Sequence, residues 1–599
     1  MCRPRADTRS LGLEFPEAMT TSSKIVAESA QLIYDGFVRY NENFQRVTAR
    51  ARKRFETRDW KGVQEDLIGR VELYEKSVRR IVVTLQKNLG PRATDHRLWN
   101  DIRWYFGERV QNIPDAGFTK TFFNSVTRRI FGTIGIDPEV EFVSPAPEEG
   151  SAIDALRLRH YPYWGSLKEI FAGVLNDFSF QVPYLSKDQD CERIDREINQ
   201  YARIYLQEYG DFLRFEFIDS VFYQSARAYL VGRILQQHQI SPIVIALENT
   251  GRGVRVDAVL LSEEEVSIVF SYTRSYYFAD PNSVVGAVQF LHTILPRKPI
   301  DELYTVMGRL RQGKTERYRS FTNHLNNTDE KFVHAAGDKG LVMLVFNLPS
   351  YDLVFKIIRD KFGYPKTVRR EDVVGKYRMI SKHDRGGRLI DTQEFRNLEL
   401  PLNRFGEELL DELQHETTLT THIKGDQIRF DQCYIERRVR PLNLYINEVN
   451  RNEAQAAILD YGQAIRDLAL NNIFPGDLLL KNFGVTRHRR IVFYDYDEVC
   501  MITDCEFRDL PEPVDDDDVM RPDAWFYVGE HDIFPEEFMK FLSIDADLRE
   551  VFLQVHGDLL TARYWRDIKA MQLAGEAPLV VPYARPEMPV ISRRKREVA

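Results

Sequence analysis

The sequence predicts an α+β chain: a mostly helical front part with a small β region, then a second domain that opens with strands and closes with helices. Three observations predict this. Apolar residues keep helical time between about residues 24 and 90; β-branched runs broken by glycine turns occur at 242–278 and again past 331; and a spaced series of aspartates and an asparagine follows the second strand-rich segment. The 599 residues are 43% hydrophobic and 29% charged, enough apolar material for real cores and too much for a disordered chain. With 82 Lys+Arg against 90 Asp+Glu the net charge is −8, which argues against nucleic-acid binding, because neutralising phosphates takes a basic patch or stripe.

Residues 1–23 read as a flexible extension, with acids among its arginines and no apolar stretch of the kind a signal peptide carries. Ile33, Phe37, Tyr40, Phe44 and Val47 then step by 4, 3, 4, 3, and Leu67, Val71, Tyr74, Val78, Ile81 and Leu85 by 4, 3, 4, 3, 4. These are the stripes of two long amphipathic helices with a turn near Arg58-Asp59-Trp60, and such stripes are core packing. Helical patterns continue to about 240. From 242 to 278 the texture becomes that of hairpin strands on either side of Asn249–Gly253, where Gly251-x-Gly253 is turn chemistry and not a phosphate loop.

The polar stretch at about 312–330 is the expected boundary, dividing a domain of residues 24–330 from one of residues 331–599. Past it, KFVHAAGDKGLVMLVFNLPSYDLVFKIIRDKF reads strand, glycine turn, strand, turn, strand, then helices. The acidic run Asp515–Asp518 and the basic residues Arg593–Arg596 read as a solvated loop and a frayed end. Five scattered cysteines without a CxxC pair support neither a disulfide framework nor a zinc ribbon and fit a reducing cytosol. No apolar run approaches the ~20 residues of a membrane span, so a cytoplasmic protein without a membrane partner is expected.

The chemistry concentrates in LNNIFPGDLLLKNFGVTRHRRIVFYDYDE, residues 470–498. Asn482 follows Asp477 by five residues and Asp495 follows Asn482 by thirteen, at the end of a β-run. Phosphoryl transfer needs a carboxylate to orient the acceptor hydroxyl and hard oxygen ligands for Mg²⁺. Asp477, Asn482 and Asp495 supply both, at the interval of the protein-kinase pattern H-R-D-x-x-x-x-N, with Asp495-Tyr496-Asp497 where D-F-G would stand. A lone aspartate of this kind also serves as a cap or turn residue. The upstream requirements are a glycine turn and a strand lysine. Gly337-Asp338-Lys339-Gly340 supplies the turn, and Lys356, mid-strand among apolar neighbours, needs a partner or a job such as neutralising phosphate charge. Cys433–Val439 is the candidate hinge between lobes, and His415, His422 and His488 read as surface or capping histidines.

Together with FFNSV at 122–126, VFKII around Lys356, DTQEF at 391–395, YIERR at 434–438 and NIFPGDLLLKNFGVTRH at 472–488, these residues resemble the bacterial isocitrate dehydrogenase kinase/phosphatase family over essentially the whole chain after the extension. The resemblance implies a helical regulatory domain ahead of a bilobal protein-kinase-like domain, with a small lobe at about 331–435, a large lobe at about 436–585 and a tail at 586–599. It implies a bifunctional enzyme that uses Mg²⁺ and ATP/ADP to phosphorylate and dephosphorylate a serine of dimeric NADP-dependent isocitrate dehydrogenase, under AMP as allosteric effector. The same resemblance puts the ATP-binding loop on Ala335, Ala336, Gly337, Asp338, Lys339, Gly340 and Leu341 and the ATP-contacting lysine on Lys356. It puts the phosphatase-linked active-site aspartate on Asp391, the catalytic-loop aspartate on Asp477 and the metal ligands on Asn482 and Asp495.

Departures are the shortened G-x-x-G loop, Pro475-Gly476 in place of His-Arg, Lys481 four residues after Asp477, and Asp497 where the D-F-G glycine would be. The rival expectations are a small-molecule phosphotransferase with the same Asp…Asn…Asp spacing and a pseudokinase scaffold. No serine-hydrolase elbow, zincin helix or EF-hand loop is present.

Overall fold

The computed structural model describes residues 21–113, 115–133, 137–142, 153–205, 214–236, 239–271, 276–364, 366, 368–383, 387–511, 526–529, 531–542, 544–575, 580–581 and 583. Nearly all of the expected extension, the acidic run Asp515–Asp518 and the basic residues Arg593–Arg596 lie outside them. Among the described residues, no helix is long and apolar enough to cross a membrane. The chain divides into two compact units: described residues of Met1–Phe44 with Val71–Pro147, and of Gln45–Arg70 with Glu148–Ala599.

The first unit is helical. It holds most of α1 (Thr21–Thr57) and α2 (Trp60–Leu89), with α3 (His96–Val110) and α4 (Ala116–Phe131). The predicted stripes make its core, in which Ile33, Phe37, Tyr40, Val78, Ile81 and Leu85 pack with Trp99, Phe106, Phe122 and Phe123. Asp95 starts α3 by accepting from the amides of Arg97 and Leu98, an ordinary N-cap. The turn between α1 and α2 falls where the periodicity breaks, with Arg58 at φ 56°.

The second unit begins with a six-stranded antiparallel sheet in the order β1-β2-β4-β5-β6, with β3 beside β4. The strands are β1 (Leu158–Pro162), β2 (Arg214–Ile218), β3 (Phe222–Gln224), β4 (Arg227–Gln236), β5 (Gln239–Asn249) and β6 (Val254–Leu260). The β5–β6 hairpin stands where predicted, turning through Gly251 at φ 91°. The expectation of helix up to about 240 is corrected: β1–β4 lie in that span. Helices cover both faces of this sheet. Ile243, Ile245 and Leu247 of β5 pack with α5 (Leu167–Asp177) and α6 (Lys187–Tyr205), while Val244 and Ala246 pack with α7 (Glu263–Val269), α8 (Val284–Ile294) and α9 (Ile300–Val306). A strand buried on both sides shows no polar alternation, and short apolar runs then do not separate strand from helix.

The polar stretch expected as the boundary at 312–330 is mostly helical. It forms α10 (Leu310–Asn326), whose Phe321 and Leu325 pack into the next core and whose Arg317 is buried. That core lies against a second antiparallel sheet, ordered β10-β12-β9-β8-β7 with β11 on β12. Its strands are β7 (Val333–His334), β8 (Met343–Asn347), β9 (Leu353–Ile358), β10 (Thr392–Pro401), β11 (Thr421–Lys424) and β12 (Gln427–Arg437), flanked by α11 (Arg370–His383) and α12 (Glu407–Glu416). A mainly helical layer follows: α13 (Leu442–Glu448), α14 (Arg451–Leu470) and the helices Ala546–His556 and Ala562–Ala574. Short ribbons carry the loops there, β13 (Arg440–Pro441) with β15 (Phe483–Val485) and β16 (Ile491–Phe493), and β14 (Ile473–Phe474) with β17 (Cys500–Met501).

Candidate active site

Lys356 lies in β9 between Phe355 and Ile357, both fully buried, and only 4% of its own surface is exposed. An ammonium in that position needs a counter-charge. Its Nζ is 2.7 Å from Oε2 of Glu436 and donates to the Tyr494 carbonyl at 2.7 Å. The register explains the pair: β12 runs antiparallel to β9 with Tyr434 opposite Lys356, and Glu436, two residues on, shares that face. The other oxygen of Glu436 accepts from Oγ1 of Thr392 on β10 at 2.7 Å. The segment expected to be a hinge is therefore, as far as Arg437, the end of a central strand.

The catalytic-loop candidate is held by backbone geometry. Gly476 takes φ 83°, and a Cβ there would lie 2.5 Å from the Glu498 carbonyl oxygen, so only glycine fits. Asp477 follows, one carboxylate oxygen accepting from the Leu479 amide at 3.0 Å, and burial raises its pKa. Asn482 donates through its side chain to the Asp477 carbonyl at 3.4 Å, and its own carbonyl accepts from the Tyr494 amide at 3.1 Å. Buried Tyr461 of α14 donates to the Leu478 carbonyl at 2.5 Å. Asp477, Asn482 and the approach to Asp495 are thus one hydrogen-bonded piece, standing on Phe474, Phe483, Phe493 and Tyr496 of the core.

Asp495 leaves the end of β16 with its carboxyl against that of Asp497, and burial first, then the Asp497 charge, push its pKa up. Lys366 stands 3.4 Å from Asp497 and also pairs with Glu498. Two adjacent carboxyls and the Asn482 side chain lining the same cleft are a hard-oxygen donor set that a small dication such as Mg²⁺ satisfies. The residues fit the ion.

A cleft of about 940 Å³ gathers Ala335–Leu341, Lys356, Asp477, Asn482 and Asp495, which is every residue expected from sequence at the site except Asp391. The glycine loop turns at Gly337, φ 123°. Lys339 reaches away to Glu412 and Glu416 of α12 at 3.0 and 3.2 Å, so this loop presents backbone rather than an ammonium, while Asp338 lies 3.8 Å from Lys481 of the Asp477 loop. Burial raises the Glu412 carboxyl, but Lys339, Arg359 and His334 outweigh it and hold the pKa at about 2.

Asp391 lines a different cavity, of about 230 Å³, with Lys298, Arg317, Arg437, Arg487 and His488. Its carboxylate accepts from Arg317 at 3.3 Å and from Gln393 at 3.2 Å. The next residue, Thr392, is the one bonded to Glu436, so Asp391 is separated from the lysine pair by one strand position, while its side chain belongs to the neighbouring chamber. His488 is no plain surface histidine: it lines this chamber and accepts from Arg487 at 3.0 Å. Burial, then Arg487 and Lys298, lower its pKa to about 4. Glu436 is the principal residue that sequence reasoning missed as a site group. Its signal was an acid closing the apolar run Cys433-Tyr434-Ile435, unreadable until β12 was known to pair with β9.

Residues 330–585 match the family described as "Isocitrate dehydrogenase kinase/phosphatase (AceK) kinase domain", and residues 30–329 match its "regulatory domain". A protein of Xanthomonas euvesicatoria pv. vesicatoria (strain 85-10) named isocitrate dehydrogenase kinase/phosphatase is 44% identical over 578 residues, 96% of this chain and 99% of that protein. Proteins of the same name from Anaeromyxobacter sp. (strain Fw109-5) and Xanthomonas campestris pv. campestris (strain 8004) are each 45% identical, covering 94% and 92% of this chain and 98% and 96% of their own lengths.

Proposed function

Because the chain belongs to the isocitrate dehydrogenase kinase/phosphatase family, we propose that it moves a phosphoryl group from ATP to a serine of dimeric NADP-dependent isocitrate dehydrogenase and also removes it, both at the cleft around Asp477. The observation that carries this reading is the convergence of Lys356, Asp477, Asn482 and Asp495 on one cleft, with the lysine already countered by Glu436. Lys356 neutralises α/β-phosphate charge, and the backbone of Ala335–Leu341 covers the phosphates. Asp477 orients the serine hydroxyl and takes its proton as attack proceeds in line. Asn482 and Asp495 would hold Mg²⁺, which, when bound, screens the charge on the β- and γ-oxygens.

For dephosphorylation the phosphoserine returns its group to ADP or loses it to a water held by a carboxylate. Asp497 lines the cleft and suits the second route. Asp391, in the adjoining chamber, serves this direction as a positioning residue, through Thr392 and the Lys356–Glu436 pair. Residues 24–330 take the regulatory part and 331–599 the catalytic part. AMP is the effector: an adenylate's phosphate suits the chamber lined by Lys298, Arg317, Arg437 and Arg487. Acting in the cytoplasm, the enzyme silences isocitrate dehydrogenase and sends isocitrate into the glyoxylate bypass. A small-molecule phosphotransferase and a pseudokinase scaffold are the losing alternatives, since the match runs through both domains and every cleft group is in place.

The test is transfer of γ-labelled phosphate from Mg²⁺–ATP to purified isocitrate dehydrogenase, followed by a chase with ADP or AMP and no fresh ATP. Label should appear on one serine and then leave; label that never appears despite ATP binding overturns the substrate assignment. Asp477→Ala should abolish both directions while Asp391→Ala mainly damages removal. Equal loss of transfer in the Asp391 variant would end that division of labour.

A further inference from the structure

Cys500 and Cys505 meet behind the catalytic loop with their sulfurs 3.4 Å apart, and no step of phosphoryl transfer uses them. Cys500 is half-buried on β17; Cys505 is 3% exposed and closes the turn Ile502–Asp504, its amide donating to the Ile502 carbonyl at 3.1 Å. The turn folds the chain back so that residues five apart place their thiols in contact. A disulfide needs ~2.0 Å between sulfurs, a closure of about 1.4 Å that side-chain rotation at Cys500 can supply. Cys500 is the more exposed of the two, and its contact with Cys505 lowers its pKa while that contact and burial raise that of Cys505, so Cys500 is the nucleophile and Cys505 the resolving group.

The pair is also tied to the reacting groups. β17 pairs with β14 so that Cys500 lies opposite Phe474, three residues before Asp477. The Glu498 carbonyl, two residues before Cys500, is the atom packed against Gly476. A tightening of the 500–505 turn therefore bears at two points, Phe474 and Gly476, on the chain leading into Asp477.

We propose that Cys500 and Cys505 form an oxidation site, closed to a disulfide by hydrogen peroxide, and that closure slows phosphoryl transfer. The Cys500 sulfur attacks one peroxide oxygen: an S–O bond forms, the O–O bond breaks, and the departing hydroxide leaves as water with the proton from the thiol or solvent. The Cys505 sulfur then attacks Cys500: the S–S bond forms, the S–O bond breaks, and the Cys505 proton leaves with the second water. Two thiols are oxidised by two electrons and one peroxide is reduced to two waters.

No Lys or Arg lies between the two cysteines, so trypsin releases both in the single peptide Ile491–Arg508. The full chain is reduced, treated with hydrogen peroxide, blocked with a maleimide and digested. The peptide is expected to lose two hydrogens and take up no maleimide, and to regain both sites after dithiothreitol; oxidation of Met501 adds an oxygen instead and is not confused with this. Kinase rate is expected to fall about tenfold or more in step with that mass change and to recover on reduction, because a misplacement of ~1 Å at a reacting group costs up to ~100-fold. Cys500→Ser should abolish the mass change and the rate loss together. A peptide that keeps both thiols, or reaches only sulfinic acid, overturns the site; a disulfide that forms without loss of rate overturns its control of transfer. The mass readout is independent of the roles given to Asp477 and its neighbours, and only the rate readout rests on them.

Discussion

Lys356 and Glu436 form a pair whose two charges are almost fully removed from water, and such pairs are unforgiving of losing one member. Glu436→Gln should cost ~3–5 kcal/mol of stability and raise the KM for ATP, read by thermal unfolding and by initial rates. Replacing both, Lys356→Met with Glu436→Gln, should recover most of that stability while leaving transfer abolished; a double variant as unstable as the single one would show that the pair's charge is not what governs this part of the fold. Half of this arrangement was legible in the sequence. A lysine flanked by Phe355 and Ile357 announces that it needs a counter-charge, but naming Glu436 requires the pairing of strands 80 residues apart, and register between distant strands leaves no local mark.

At the scale of elements, the loop carrying Asp477 is a turn whose shape depends on one residue without a side chain. Gly476→Ala would force a methyl onto the Glu498 carbonyl at a positive φ, a strain of ~1–3 kcal/mol. The variant should remain folded, by circular dichroism and unfolding midpoint, and lose transfer by ~100-fold; full activity would mean the loop tolerates the shift. The same scale separates what periodicity could and could not read. The stripes of α1 and α2 and the β5–β6 hairpin have one-sided patterns or a glycine turn, and both were found where expected. β1–β4 and α10 were not, the strands because helices bury both faces of their sheet, and the helix because its polar residues, Arg317 among them, do internal pairing instead of facing water. Asp391 belongs with these: its sequence motif gave a residue worth testing and no information about which chamber it enters.

At the scale of the whole molecule, His488 and Glu412 mark two separate acid windows. His488 has a folded pKa of about 4 against ~6.5 when unfolded, so between these values the unfolded chain binds more protons and stability rises with pH. Acidification from about pH 6.5 to 4 should therefore erode the unfolding midpoint, and His488→Asn should flatten that part of the curve. Glu412, held at about 2 against ~4.3 unfolded, contributes stability that is present above pH ~4.3 and is lost as pH falls toward 2; Glu412→Gln should alter only that lower window. Midpoints measured from pH 7 to 2 for the parent and both variants check the assignment, which fails if the His488 variant tracks the parent between pH 6.5 and 4.

The end of β12 has one more consequence, since Arg437 and Val439 line the 940 Å³ cleft and the 230 Å³ chamber alike. A shared wall makes the two chambers thermodynamically conjugate. Any occupant of the small one that prefers one setting of that wall changes the large one's affinity for its own ligand by some factor, and that ligand must return the same factor to the occupant. The coupling can thus be measured from whichever side is easier to titrate.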